Sequence, residues 1–263
     1  MKIRETATII SQECLCEGIY SMWLATGIAG SAVCGQFISV YPNSDSKLLP
    51  RPISLCEISA PGDEQAVRIV YRVAGAGTEE FSHMSSGDKL DILGPNGNGF
   101  LAPVKEEITA DTKALLIGGG IGIPPMLELA KQLRCNVNTV AGYRSRNEMF
   151  LTKELERAGR LFISTDDGSF GTCGTVIDAV NEEHIDADII FACGPKPMLK
   201  GVKELAGELG KNAYISMEER MACGVGACLG CVTASAGIDD HSKVNNKRVC
   251  ADGPVFLASE VVL

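Results

Sequence analysis

The sequence predicts an N-terminal antiparallel β-barrel, then a doubly wound α/β domain on a parallel sheet, then a small cysteine-bearing C-terminal domain. Three observations carry this. Short strand-like runs separated by glycine and proline fill the N-terminal part. From Lys113 onward, strands alternate with helical patterns. Beyond Leu209 the regular patterning stops, and four of the eleven cysteines gather as Cys223, Cys228, Cys231 and Cys250. The expected domains are 1–104, 105–213 and 214–263, a division that a 263-residue chain can support.

In the first domain the strand-like runs are Lys2–Ile10, Ile19–Thr26, Gln36–Tyr41, Ser54–Ala60, Val67–Val73 and Lys89–Leu93. Turn signals at such spacing suggest a closed barrel. A short helical stretch is expected over Glu79–Met84. In the second domain Ala114–Ile117 reads as a buried strand and Pro125–Leu133 as the helix after it. Strands at Asn138–Gly142, Leu161–Ser164 and Asp188–Cys193 then alternate with helices at Leu151–Ala158, Val176–Asn181 and Pro197–Leu209. That alternation indicates a parallel sheet. The last fifty or so residues read as a cysteine loop with little regular structure.

Composition narrows the function classes. A net charge of −9 gives a nucleic-acid role little electrostatic support. The most apolar stretch, Ala114–Leu127, is broken by Gly118, Gly119, Gly120, Gly122, Pro124 and Pro125, so no membrane span is expected. No basic region followed by an apolar core opens the chain, and its cysteines then point to a reducing cytoplasm. With three histidines, acid–base chemistry through histidine is not advertised.

The four cysteines follow C-x4-C-x2-C with a distant fourth, the plant-type spacing for a [2Fe–2S] cluster. Gly224, Gly226 and Gly230 let such a loop wrap around metal and sulfide, with backbone N–H groups aimed at the sulfurs. A four-cysteine zinc site uses the same ligands. Zinc sites usually pair them as two C-x2-C knuckles, so the asymmetric triplet favours iron–sulfur.

Gly118–Pro125 joins a strand to a helix as a dinucleotide turn does, but Pro125 stands where G-x-G-x-x-G has its third glycine. Alone it reads equally as a tight turn. The following strand ends in Tyr143-Arg144-Ser145-Arg146, without the acid that would bind an NAD ribose, so NAD versus NADP stays open. Cys193-Gly194-Pro195 forms a second strand-to-helix turn at the same sheet edge. Cys193 fits a nicotinamide pocket or a small buried hydrophobe. The acidic turn Thr165–Ser169 reads as solvated rather than as part of that site. In the barrel, Arg51-Pro52-Ile53-Ser54, Val70-Tyr71-Arg72 and Gly75–Thr78 are each modest signals. Arg51 suits a phosphate, Ser54 a flavin nitrogen, and Gly77 with Thr78 a diphosphate. The arginines read equally as surface charges.

In conjunction these segments resemble the ferredoxin–NADP reductase superfamily over nearly the whole chain. The tail Met217–Cys231, with Val249–Phe256, resembles the electron-transfer subunits of NAD-dependent (type B) dihydroorotate dehydrogenase. The resemblance implies an FAD-binding barrel, an NAD domain and a [2Fe–2S] domain. It implies FAD on Arg51, Pro52, Ile53, Ser54, Val70, Tyr71, Arg72, Gly77 and Thr78. Gly119, Gly120, Gly122 and Pro124 would face the NAD pyrophosphate, Cys193 and Gly194 the nicotinamide. Cys223, Cys228, Cys231 and Cys250 would ligate the cluster. It further implies an FMN-containing catalytic partner in a heterotetramer of two plus two, with NAD as substrate and a place in pyrimidine (UMP) synthesis. Other expectations weighed are a flavin/[2Fe–2S] reductase subunit of another complex (ferredoxin:NADP oxidoreductase, sulfhydrogenase or sulfite reductase) and a non-catalytic zinc-binding interaction protein.

Overall fold

The computed structural model describes residues 2–44, 46–59, 65–104, 106–238 and 243–263. Six antiparallel strands close a barrel in the order β1-β2-β5-β4-β3-β6. They are β1 Ile3–Cys16, β2 Ile19–Ala25, β3 Phe37–Tyr41, β4 Arg51–Ile58, β5 Ala66–Arg72 and β6 Lys89–Asn96. Ala60, the expected end of the fourth run, lies outside the described residues. Alternation along the strands puts Ile9, Met22, Leu24, Ile38, Val40, Leu55 and Ile69 inside the barrel. Helix α1, Ala76–Ser82, adds Phe81 to that core.

The second body is a seven-stranded sheet in the order β10-β9-β8-β7-β11-β12-β15. Its members are β7 Lys113–Gly119, β8 Asn136–Tyr143, β9 Arg160–Thr165, β10 Thr172–Cys173, β11 Ile189–Cys193, β12 Asn212–Ser216 and β15 Val255–Leu257. All pair in parallel except β15, which runs antiparallel to β12. Helices α2 Ile123–Gln132 and α3 Thr152–Ala158 pack towards the barrel, with Ile123, Leu127 and Leu155 against Ile19, Cys56 and Val70. Helices α4 Val176–Glu182 and α5 Lys196–Leu209 cover the other face with Val180, Leu199 and Val202. The strand order reverses beside β7, so the crevice beyond the carboxyl ends of β7 and β11 is a topological switch point, where open α/β sheets bind ligands.

Two features depart from the sequence reading. Strand β12 is a full member of the sheet, and the expected boundary at 213/214 falls inside it. Its five residues follow Gly210, which ends α5 in the left-handed conformation, too short a run to stand out by composition. The tail also holds more regular structure than expected. Besides β15, β13 Val232–Ala234 and β14 Asn246–Arg248 form a hairpin. The tail is pinned to the barrel by Asn98: its Nδ2 donates to Val255 O (2.8 Å) and its Oδ1 accepts from Val255 N (3.0 Å). Among the described residues no helix is long and apolar enough to cross a membrane.

Candidate functional site

The candidate site has three parts, with Arg72 of the barrel close to Gly120 of the sheet and Gly224 of the cysteine loop against Ser39 of the barrel. The first is on the barrel. Arg51 opens β4 and lies against the start of α1: a Cβ on Gly77 would sit 2.3 Å from Arg51 Nε. Thr78 Oγ1 folds the entering loop back, accepting from Ala74 N (2.9 Å) and donating to Gly75 O (3.0 Å). The Arg51 guanidinium donates to Leu49 O and, among the described residues, has no carboxylate partner. A cation beside a cradle that only glycine leaves open fits a diphosphate. Along β4, Pro52 is exposed, Ser54 half-buried and Ile53 turned into the barrel core.

Val70 and Arg72 face the seam with the sheet. Val70 packs on Ile123, and Arg72 Nη2 lies 3.8 Å from Glu148 Oε2 and close to Gly120. Tyr71 between them does not share that face. Its ring stacks on Tyr20 (5.9 Å) and meets Phe81 edge-on inside the barrel, and its hydroxyl donates to Gln12 Oε1 (2.9 Å). Burial pushes this phenol up from its ordinary pKa. Only its backbone is open to a flavin.

The second part is the switch point. Gly122 is seated on β11: a Cβ there would lie 2.1 Å from Cys193 O. Gly119 and Gly194 both close on Met198, at 2.5 Å from its side chain by the same measure. Gly120 takes φ +53°, and Pro124 and Pro125 open α2, where their missing N–H groups are not needed. Cys193 is buried, and desolvation followed by the nearby Glu218 carboxylate raises its thiol pKa. Glu218, two residues past the end of β12, is a group the sequence reading missed because β12 was not read as a strand. Its side chain is exposed at the protein surface. Desolvation raises its pKa.

The acidic turn is solvent-exposed over Asp166–Ser169, as expected, and is tied to the end of β8. Asp166 N donates to Tyr143 O (3.1 Å), Asp167 N to Arg144 O (3.2 Å) and Arg146 N to Ser169 Oγ (2.8 Å). Ser169 donates back to Asp167 Oδ1 (2.6 Å) and holds that carboxyl below its ordinary range.

The third part is the cysteine loop. Gly224 (φ +66°) and Gly226 (φ +84°) turn it, and Arg248 Nη1 braces it at Gly226 O (3.3 Å). The β13–β14 hairpin brings in the distant cysteine, because Val249 N donates to Cys231 O (3.0 Å) and Cys250 lands beside Cys231. Backbone amides point at three sulfurs: Val225 N at Cys223 (3.5 Å), Gly230 N at Cys228 (3.4 Å) and Cys250 N at Cys231 (3.4 Å). Desolvation would raise the Cys223 pKa, but the amides of Val225, Cys228 and Ala227 and the Cys228 thiol outweigh it and lower it to about 6. Burial, then the Cys231 side chain, pushes Cys250 up to about 12.

Cys223 lies beside Cys228 and Cys250 beside Cys231, and the Cys223 charge also reaches Cys250. Among the described residues, no three His, Cys, Asp or Glu side chains are gathered on one point. Four cysteines on one loop and its return strand, with amide donors aimed at three of the sulfurs, fit a two-iron cluster. Cys231 and Cys250 are buried against Phe37 of the barrel, whereas Cys228 is exposed beside Val225, Leu229 and Val232. Of the other cysteines, Cys34, Cys56 and Cys193 are buried.

Comparison with known proteins agrees with this layout. Residues 218–262 match the family model for the iron–sulfur cluster binding domain of dihydroorotate dehydrogenase B, and residues 116–204 match the oxidoreductase NAD-binding domain. The chain is 42% identical over 265 residues, 99% of each chain, to the dihydroorotate dehydrogenase B (NAD(+)) electron transfer subunit of Geobacillus thermodenitrificans (strain NG80-2). It is 41% identical over 266 residues, all of each chain, to that of Streptococcus mutans serotype c (strain ATCC 700610 / UA159). Among solved structures, an NADH-dependent reduced ferredoxin-NADP oxidoreductase matches with TM-score 0.84 and 29% identity, covering 97% of this chain and 89% of the other. A ferredoxin NADP+ reductase from Neisseria gonorrhoeae shares the fold at TM-score 0.65 and 19% identity, over 82% of this chain and 94% of the other. By full-length identity, and by the cysteine loop that its model covers, the chain belongs to the family of electron transfer subunits of NAD(+)-dependent dihydroorotate dehydrogenase B.

Proposed function

We propose that this chain passes electrons from the catalytic subunit of dihydroorotate dehydrogenase B to NAD+. The observation that carries the reading is the cysteine loop. Three of its sulfurs accept backbone amide hydrogen bonds, and the loop is buried on the barrel side and exposed at Cys228 on the other. The site therefore has one flank for a partner and one for the chain's own nucleotide-binding body.

The cofactors are FAD, a [2Fe–2S] cluster and NAD as substrate. When bound, the cluster carries single electrons and the flavin converts two of them into the hydride that NAD+ takes. The chain's task is to hold and orient. The assignment is Arg51, Gly77 and Thr78 to the FAD diphosphate and Pro52, Ser54, Val70 and Arg72 to the flavin flank. Ile53 and Tyr71 serve through their backbone. Gly119, Gly120, Gly122 and Pro124 approach the NAD pyrophosphate, and Cys193 and Gly194 the nicotinamide. Cys223, Cys228, Cys231 and Cys250 ligate the cluster. Three functional units follow, near 1–104, 105–213 and 214–263, the last two sharing one sheet through β12 and β15.

The partner in this reading is an FMN-containing catalytic subunit, two of each forming a heterotetramer in the cytoplasm that serves pyrimidine synthesis. It docks over the exposed rim at Val225, Cys228 and Leu229. The reaction balances as dihydroorotate plus NAD+ giving orotate, NADH and a proton.

The test is anaerobic NADH formation from dihydroorotate and NAD+, using the type B catalytic subunit with and without this chain. NADH that appears only with the chain present is the expected result. Its absence, from a preparation with flavin and cluster absorbance intact, would move the chain to another reductase complex.

A further inference from the structure

Strand β3 alternates between two environments. Ile38 and Val40 turn into the barrel, while Phe37 packs outward on Cys231, Val249 and Cys250. Ser39 shares the outward side, yet its exposure is 0%. What covers it is the cysteine loop. A Cβ on Gly224 would stand 2.8 Å from Ser39 Oγ and 3.8 Å from Asn96 Nδ2, so the backbone just after Cys223 lies directly on this hydroxyl.

A hydrogen-bond count at this contact leaves two groups over. Asn96, also at 0% exposure, donates through Nδ2 to Leu93 O (2.8 Å) and to Ser39 Oγ (3.3 Å), which places both of its amide hydrogens. Its Oδ1 is buried and receives no bond from the protein. Ser39 accepts from Asn96, but its own O–H has no acceptor among the described residues. Gly224 O accepts from Lys2 Nζ (3.4 Å), and no bond from Ser39 to it is present. Burying an unplaced polar hydrogen destabilises the folded chain. Such a group is rare unless something outside the protein's own bonding meets it.

We infer that Ser39, oriented by Asn96, donates a hydrogen bond to a cluster sulfide held beside Cys223, and so raises the cluster's reduction potential. The inference rests on the reading that the four cysteines hold a [2Fe–2S] cluster. Reduction adds negative charge to the sulfurs, and a hydrogen-bond donor stabilises the more negative form. The three amide donors come from the tail itself. Ser39 differs because it comes from the barrel, so it makes the potential depend on how the loop sits on that domain.

The test uses the full chain loaded with FAD and cluster, wild type and Ser39→Ala. The first measurement is the electron paramagnetic resonance signal of the reduced wild type. Without a [2Fe–2S] signal there, the cluster reading itself falls, and this inference with it. With the signal present, a redox titration follows. The expected result is a lower potential in Ser39→Ala: at fixed ambient potential the oxidised-to-reduced ratio rises about tenfold, about 59 mV for one electron. In parallel, proton double resonance in H2O and D2O counts exchangeable protons coupled to the cluster, and Ser39→Ala is expected to lose one. An unchanged potential overturns the inference. So does a shifted potential with the full set of exchangeable protons, since that would be a displaced loop and not a lost donor.

Discussion

In the proposed FAD site, Gly77 is the residue at which a single added atom meets the Arg51 guanidinium. Its missing Cβ is occupied by the Arg51 guanidinium, so an alanine there must push the arginine away from the start of α1. Gly77→Ala is therefore expected to weaken FAD retention at least tenfold, about 1.4 kcal/mol, and to leave the cluster signal intact. Flavin titration of the apoprotein, with cluster absorbance as the internal reference, measures it. Wild-type flavin affinity in the variant would remove the Arg51–Gly77 contact from the binding site. The motif around Gly77 is only a modest signal in sequence, because glycine and threonine at the start of a short helix serve plain turns and caps as well. Strand parity separates Tyr71 from Arg72, but it does not say which face holds the ligand. Only the stacking on Tyr20 and Phe81 places the Tyr71 ring inside the barrel. Ser39 and Asn96 carry no motif at all. Their interest comes from a long-range contact with Gly224 that local patterning does not encode.

The turn Gly118–Gly122 acts as an element, because it fits only when β7 and β11 are already paired. Gly118 and Cys193 are register partners, and the turn then folds Gly122 onto the Cys193 carbonyl. Two pieces of backbone meet there, and neither can move aside as a flexible side chain would. Gly122→Ala is expected to open the turn and cost NADH binding at least tenfold, about 1.4 kcal/mol, with the flavin still bound. Stopped-flow reduction of the bound flavin across a range of NADH concentrations separates affinity from rate. A variant that differs only in its limiting rate would show that the turn does not form the pyrophosphate site. The imperfect G-x-G-x-x-G pattern is weak as sequence. It becomes specific once the second turn is seen to supply its other wall. Strand β12 and the β13–β14 hairpin were not legible for a related reason: each is short and is stabilised by neighbours distant in sequence, Cys193 with Ser216 and Cys231 with Val249.

At the scale of the whole molecule the sequence announces three successive units but not the seams between them, and electron transfer depends on the seams. The barrel meets the sheet where α2 lies on β4. Glu128 of α2 is 6% exposed there. Its Oε2 accepts from Ile58 N (3.0 Å) and its Oε1 from Gln132 Nε2 (2.6 Å), while Lys131 pairs with Glu57 and Arg68 Nη1 with Glu57 Oε2 (2.6 Å). Desolvation raises the Glu128 pKa and Glu57 adds to it; the bonds from Gln132 and Ile58 and the Lys131 charge oppose the rise without cancelling it. The sign of the linkage follows. The folded state holds the Glu128 proton more tightly than the unfolded chain, where a glutamate titrates near about 4.3. The stability this gives is fully present below that unfolded value and is lost as pH rises through the folded one. Glu128→Gln keeps an acceptor for Ile58 N and never ionises. Its melting temperature should gain on the wild type as pH rises from mildly acidic to neutral, and the gain should fade as pH falls towards the unfolded glutamate value. Thermal unfolding of both proteins, followed by circular dichroism across that range, measures the difference. A difference that stays flat with pH, or grows towards acid, would mean that the ionised carboxylate is satisfied in the seam. The contact of α2 with the barrel would then draw on that charge instead of tolerating it.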